Sequence, residues 1–125
     1  MANANAARPV FAFIALVTVG IIATYLPAQT LYVSPAGRDT WSGQLAAPNA
    51  QSTDGPLAGL TGARDAVRKI KAAGALTQPV RVIVADGTYS MTQPVVFEPA
   101  DSGTDTFPVS YEAAVGAKPV FTGGY

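Results

Sequence analysis

Hydrophobic and polar residues alternate along PVRVIVADGTY, from Pro79 to Tyr89, and this stretch organises the rest of the chain. Val80, Val82 and Val84 point to one face, and Arg81, Ile83 and Ala85 to the other. That is the period of a strand, and β-branched residues suit a pleated, mostly buried surface. Asp86-Gly87-Thr88 then ends it: the Asp side chain can bond its own backbone, and Gly accepts a positive φ without steric cost. Ahead of this strand the period changes. Leu60, Ala63, Val67 and Ile70 recur at helical spacing and predict one helix over Thr61–Ala73, with Gly74 as its stop. The pattern places Asp65 in the first turn, four residues ahead of Lys69 as an ion pair, with Lys69 and Lys71 toward the last turn. Arg64, Arg68, Lys69 and Lys71 read as a solvated helix face.

Short strands are predicted elsewhere. Thr30–Ser34 begins the body of the protein, and Pro94–Phe97, Pro108–Ala113 and Pro119–Thr122 follow the central strand. Each of the last three opens on proline, which is tolerated at the first residue of a strand but not within a central ladder. The intervals DGTYSMTQ, EPADSGTDTF and AVGAK are turn chemistry, with Gly103 among the turn formers. Residues 35–52 form a long polar loop carrying Trp41. Strands this short, with no helix after Gly74, predict an all-β body: a sandwich fragment or the first rungs of a solenoid.

One segment stands apart. Val10–Leu26 is apolar and follows Arg8, the sole charge ahead of it. Residues 1–28 therefore read as a signal peptide cut before Gln29, with a retained membrane anchor or a buried helix as the other readings, and the protein is expected outside the cytoplasm.

Composition narrows the chemistry. Of 125 residues, 49% are apolar and 13% charged, and eight basic residues balance eight acidic ones. A net charge of zero gives no footprint for nucleic acid. Without cysteine or histidine there is no disulfide framework, no thiolate or histidine metal site, and no Ser-His-acid triad. The nearest approach to a carboxylate pair is Asp101 with Asp105, in DSGTD. Turn capping is the plain reading of both; a Ca2+ site is the next, using Ser102, Thr104 and backbone carbonyls as further oxygens, and a glycosidic acid pair the last. Asp86 is a turn former. Trp41 either folds back to cover a domain end or offers an indole platform to a sugar ring.

Four strings in register carry a resemblance: LYVSPAGRDTWSG, DGPLAGLTGARDAVRKI, VIVADGTY and PADSGTDTFPVSYEAAVGAKPVFTGG. In order and spacing, over Leu31–Gly124, they resemble the amino-terminal part of secreted right-handed parallel β-helix proteins with a pectate-lyase-like fold, and most of all glycoside-hydrolase-like members of the fucosidase and xylanase type. Leu57 stands where that group has Phe, and Gly59 where it has a hydroxyl residue. The resemblance implies that residues 29–125 are a cap and initial rungs, with the predicted helix as the cap, of a longer β-helix chain. It also implies that the catalytic carboxylates lie on later rungs, so no catalytic residue is carried onto this sequence. The expected function is a non-catalytic capping portion of a polysaccharide-acting protein; the alternative is a carbohydrate-binding or structural surface solenoid, to which Trp41, Tyr32, Tyr89 and Tyr111 could supply stacking surfaces.

Overall fold

The computed structural model describes residues 28–123, so the apolar run at 10–26 and the signal-peptide reading lie outside the described residues. Among the described residues, five strands and one α-helix follow in order: β1 (Gln29–Val33), α1 (Leu60–Ala72), β2 (Val80–Val84), β3 (Thr88–Ser90), β4 (Val109–Ala113) and β5 (Val120–Thr122), with a 3-10 turn at Pro99–Asp101 before β4. They make a three-stranded sheet, β1-β2-β4, and a two-stranded sheet, β3-β5. Every ladder is parallel. Parallel neighbours cannot be joined by tight hairpins, which is why long loops and a helix separate β1 from β2. They also remove the antiparallel sandwich among the readings of the sequence. The domain is sheet-rich, with parallel strands and one helix ahead of most of them.

The registers stack like on like. Leu31 lies beside Val82 and Val82 beside Tyr111, while Val33, Val84 and Ala113 form the neighbouring row. Leu31, Val33, Val80, Val82 and Val84 are buried, so the period-two alternation of β2 does select the core face. On the opposite face Arg81 forks onto Glu112 of β4, with both bonds at 3.0 Å. A parallel bridge from Val33 to Leu57 extends the β1 side.

Helix α1 closes that side. Its buried residues, Gly62, Ala63 and Val67, include two members of the predicted apolar stripe. Its start lies at Leu60, with Gly59 at the N-cap and no side-chain cap of its own. Asp39 of the long loop holds the residue ahead of that N-cap: its Oδ1 accepts the Ala58 N–H at 2.9 Å, and a Cβ on Gly62 would collide with that carboxylate. Asp65 therefore falls one turn later than the sequence pattern places it, and it pairs with Arg64 rather than Lys69. At the far end the Gly74 N–H bonds the Lys71 carbonyl.

Two expectations fail locally. Pro94–Phe97 forms no ladder. Pro94 has no N–H to give, and the Val96 carbonyl accepts a bond from Arg64 on the helix at 3.0 Å instead of joining a sheet. Conversely, Thr88–Ser90, which reads as part of a turn, is a strand: Tyr89 aligns with Phe121 of β5, and their rings stack at 4.8 Å.

Candidate functional site

The long loop holds Trp41 by its own hydrogen bonds. Asp54 accepts the Ser42 N–H at 2.8 Å and the Ser42 hydroxyl at 2.9 Å, which lowers its carboxyl below the usual range. Asn49 accepts the Thr53 N–H at 2.8 Å. Trp41 is half-buried against this frame. The Arg38 guanidinium lies 5.4 Å from the ring centroid, and a Cβ at Gly55 would sit 2.7 Å from Cε3. The indole is thus packed between a cation and a glycine, and its remaining edge borders a cleft of ≈ 330 Å³ between the loop and α1.

The three tyrosines scatter. Tyr32 is half-buried on the outer face of β1, beside Ile83. Tyr89 is only 5% exposed, and its hydroxyl donates to the Ala85 carbonyl at 2.8 Å, so its ring offers no platform. Burial pushes that hydroxyl pKa up. Tyr111 meets Phe97 edge-on at 5.3 Å, and its buried hydroxyl has no partner among the described residues. Burial raises its pKa as well. Two further rings are accessible, Phe97 at 48% exposure and Phe121 at 36%; sequence reasoning did not single out Phe121, which stacks on Tyr89. Its signal was the register of the β3 and β5 segments.

Asp101 and Asp105 are treated very differently. Asp101 is 4% exposed, its Oδ1 accepting Arg68 Nε at 2.5 Å and its Oδ2 accepting Arg68 Nη2 at 2.8 Å. The same Oδ2 accepts the Glu98 N–H at 2.7 Å and closes the 3-10 turn. The Arg68 guanidinium, followed by that N–H, holds the carboxyl far below the ordinary carboxylate range. Asp105 is exposed and makes no hydrogen bond or ion pair among the described residues. Both oxygens of Asp101 are spent on the protein, and no group of three or more acids able to hold a metal ion occurs among the described residues. Neither acid is arranged to work against a partner carboxylate.

The helix cations are not simply solvated. Arg64 binds the Val96 carbonyl, Arg68 binds Asp101, and Lys71 Nζ donates to the carbonyls of Ala100 and, at 2.7 Å, Ser102. Three of the four thereby clamp residues 96–102 onto α1. The turn formers do comparable tying. Asp86 Oδ1 accepts the Lys118 N–H at 3.1 Å, linking the β2–β3 turn to the β4–β5 turn. Gly87 has φ 135°, and a Cβ there would come within 2.5 Å of Pro35 Cγ. Gly103 lies against the Phe107 carbonyl with no room for a side chain.

A second cleft, ≈ 440 Å³, opens between the start of α1 and β3, and Phe121 lines it. No family model matches the chain, and no curated protein does. One solved structure does. The chain is similar to a protein described as a glycoside hydrolase. The identity is 27%, the TM-score 0.66, and the match covers 78% of this chain but 15% of the hydrolase. This is a distant structural relation, and the chain spans a small part of the larger protein's length.

Proposed function

We propose that this chain is the amino-terminal capping portion of a right-handed parallel β-helix in a secreted, polysaccharide-acting protein, and that it holds no hydrolytic centre of its own. The observation that carries the reading is the pair of in-register parallel ladders that end on free edges at β4 and β5 among the described residues. At the β5 edge Phe121, in the row of buried Tyr89, stands 36% exposed, and Val120 on the other face is 53% exposed. An unpaired parallel edge with its core row uncovered is the surface onto which another rung stacks. The opposite end, under α1, is closed. The similarity to a fraction of a glycoside hydrolase supports the carbohydrate context.

The test supplies the missing neighbour. A second copy of residues 79–123, fused after residue 123, offers strands to both free edges. Stacking is expected to merge the two units into one cooperative transition at higher temperature, since neighbouring repeats stabilise one another. Two independent transitions, or an unchanged midpoint, refute the capping reading. Purified chain is expected to release no reducing sugar from xylan, pectin, alginate or fucosylated glycans; turnover lost in an Asp101→Asn, Asp105→Asn double variant would assign it a hydrolytic centre.

A further inference from the structure

We propose that the cleft between the start of α1 and β3 binds a neutral oligosaccharide. The inference rests on the carbohydrate context above and concerns the far edge of β3, sharing Phe121 with the open β5 edge. The cleft follows from an asymmetry between the sheets. β1 pairs with β2 on one side and with Leu57 on the other, whereas β3 has β5 as its one neighbour. After β1 the chain turns away at Pro35 into the long loop and supplies no strand beside β3.

The free edge of β3 can be assigned atom by atom. The Gly87 carbonyl accepts from Val120, and the Met91 N–H donates to the Thr122 carbonyl, so these groups face β5. Successive residues of a strand in a parallel ladder direct their N–H and C=O to opposite edges. The backbone groups of Thr88 and Ser90 therefore face away from β5, at the border of the cleft. Around them stand the hydroxyls of Thr61, Thr88, Ser90 and Thr92 and the amide of Gln93. None makes a side-chain hydrogen bond among the described residues.

These groups each donate and accept, as sugar hydroxyls do, and Phe121 adds an apolar ring surface to the lining. The volume falls in the range of small-molecule sites, roughly 300–1,000 Å³. Charge narrows the ligand. The one charged lining residue is the Asp39 carboxylate, and no Lys or Arg lines the cleft. A uronate would meet that carboxylate without a compensating cation; a neutral sugar meets an acceptor. A three-residue edge is short for strand addition, which favours sugar over an extended peptide.

The experiment titrates the full chain with xylohexaose, cellohexaose, tetragalacturonate and an extended Thr/Val hexapeptide, by calorimetry and by chemical-shift mapping. At least one neutral hexaose is expected to bind saturably, with shifts centred on residues 88–93. Ser90→Trp, which fills the cleft from an exposed position, is expected to weaken binding tenfold or more. Thr92→Val with Gln93→Ala is expected to weaken it about tenfold, roughly the loss of one or two hydrogen bonds. Both variants should keep the thermal midpoint of the parent. Absence of neutral-sugar binding, binding of tetragalacturonate or the peptide alone, or affinity untouched in both variants overturns the proposal. Any of these leaves the fusion test of capping unaffected.

Discussion

Replacing Leu57 by Ala probes whether the loop that returns to β1 is part of the core or merely drapes over it. Leu57 is 2% exposed. It bonds β1 through both backbone groups, its N–H to the Tyr32 carbonyl at 2.8 Å and its carbonyl to the Ser34 N–H at 2.9 Å. Its side chain fills the space over Gly43, where a Cβ would lie 2.8 Å from Leu57 Cδ1. The substitution leaves the backbone bonds in place and removes three buried carbons. At about 0.8 kcal/mol each, the transfer loss is about 2.4 kcal/mol. The cavity left beside Leu31 brings the total to about 3–4 kcal/mol, within the ~2–5 kcal/mol range of such deletions. A domain of this size has of order 5–15 kcal/mol to lose, so the thermal midpoint should drop by about 12 °C or more. Urea unfolding followed by far-ultraviolet dichroism and Trp41 fluorescence measures both quantities. Val120→Ala, on an exposed side chain of β5, serves as the control and is expected to change stability by less than about 0.5 kcal/mol. If Leu57→Ala costs no more than that control, the loop is not core and the reasoning from burial is wrong.

Acid should loosen the clamp between α1 and residues 96–102. The folded-state pKa of Asp101 is depressed by Arg68, so its contribution is present above the unfolded carboxylate value, near ~4, and is lost as pH falls through the folded value. Glu112, lowered to about 2 chiefly by its bonds from Arg81, adds to the same acid window. The parent's thermal midpoint should therefore fall between about pH 5 and pH 2, and Asp101→Asn should start lower at neutral pH and fall less steeply. Gly87→Ala forces a side chain into φ 135° and against Pro35, and a loss of about 1–3 kcal/mol is expected in urea melts; an unchanged midpoint contradicts it. Terminal sequencing of material recovered from the culture medium should begin near Gln29 or Thr30, whereas an intact Met1 on cytoplasmic protein refutes export.

The hydrophobic pattern placed β1, α1, β2, β4 and β5 to within a residue or so, because each carries several periodic positions that face the core. β3 escaped because three residues hold one inward side chain, Tyr89, and its identity as a strand depends on Phe121, thirty-two positions away. Pro94–Phe97 misled because Val95-Val96-Phe97 is β-prone by composition while its carbonyl is claimed by the helix. The cationic side of α1 was read as solvated for a similar reason. Local spacing records which residues share a helix face, but not that Asp101 and the carbonyls of 96–102 arrive to meet Arg64, Arg68 and Lys71. At the candidate sites, Trp41 was visible as an unusual loop residue, whereas Phe121 and the free edge of β3 arise from sheet register and from a strand that is absent. Neither leaves a mark in periodicity.

The bonds from α1 to residues 96–102 also set an order of events during synthesis. Residue 102 leaves the ribosome about 40 positions after the helix begins, a delay of roughly 2–8 s at 5–20 residues per second. Until residues 96–102 are made, Arg64 has its neighbour Asp65 alone, Arg68 and Lys71 lack Asp101 and the carbonyls of Ala100 and Ser102, and β4 is still to come. The element that ends up sealing one side of the structure is thus made early and secured late. A nascent chain halted between residues 72 and 96 would leave the cationic side of the helix without its clamp, whereas one that has passed residue 113 holds residues 96–102 and β4 as well.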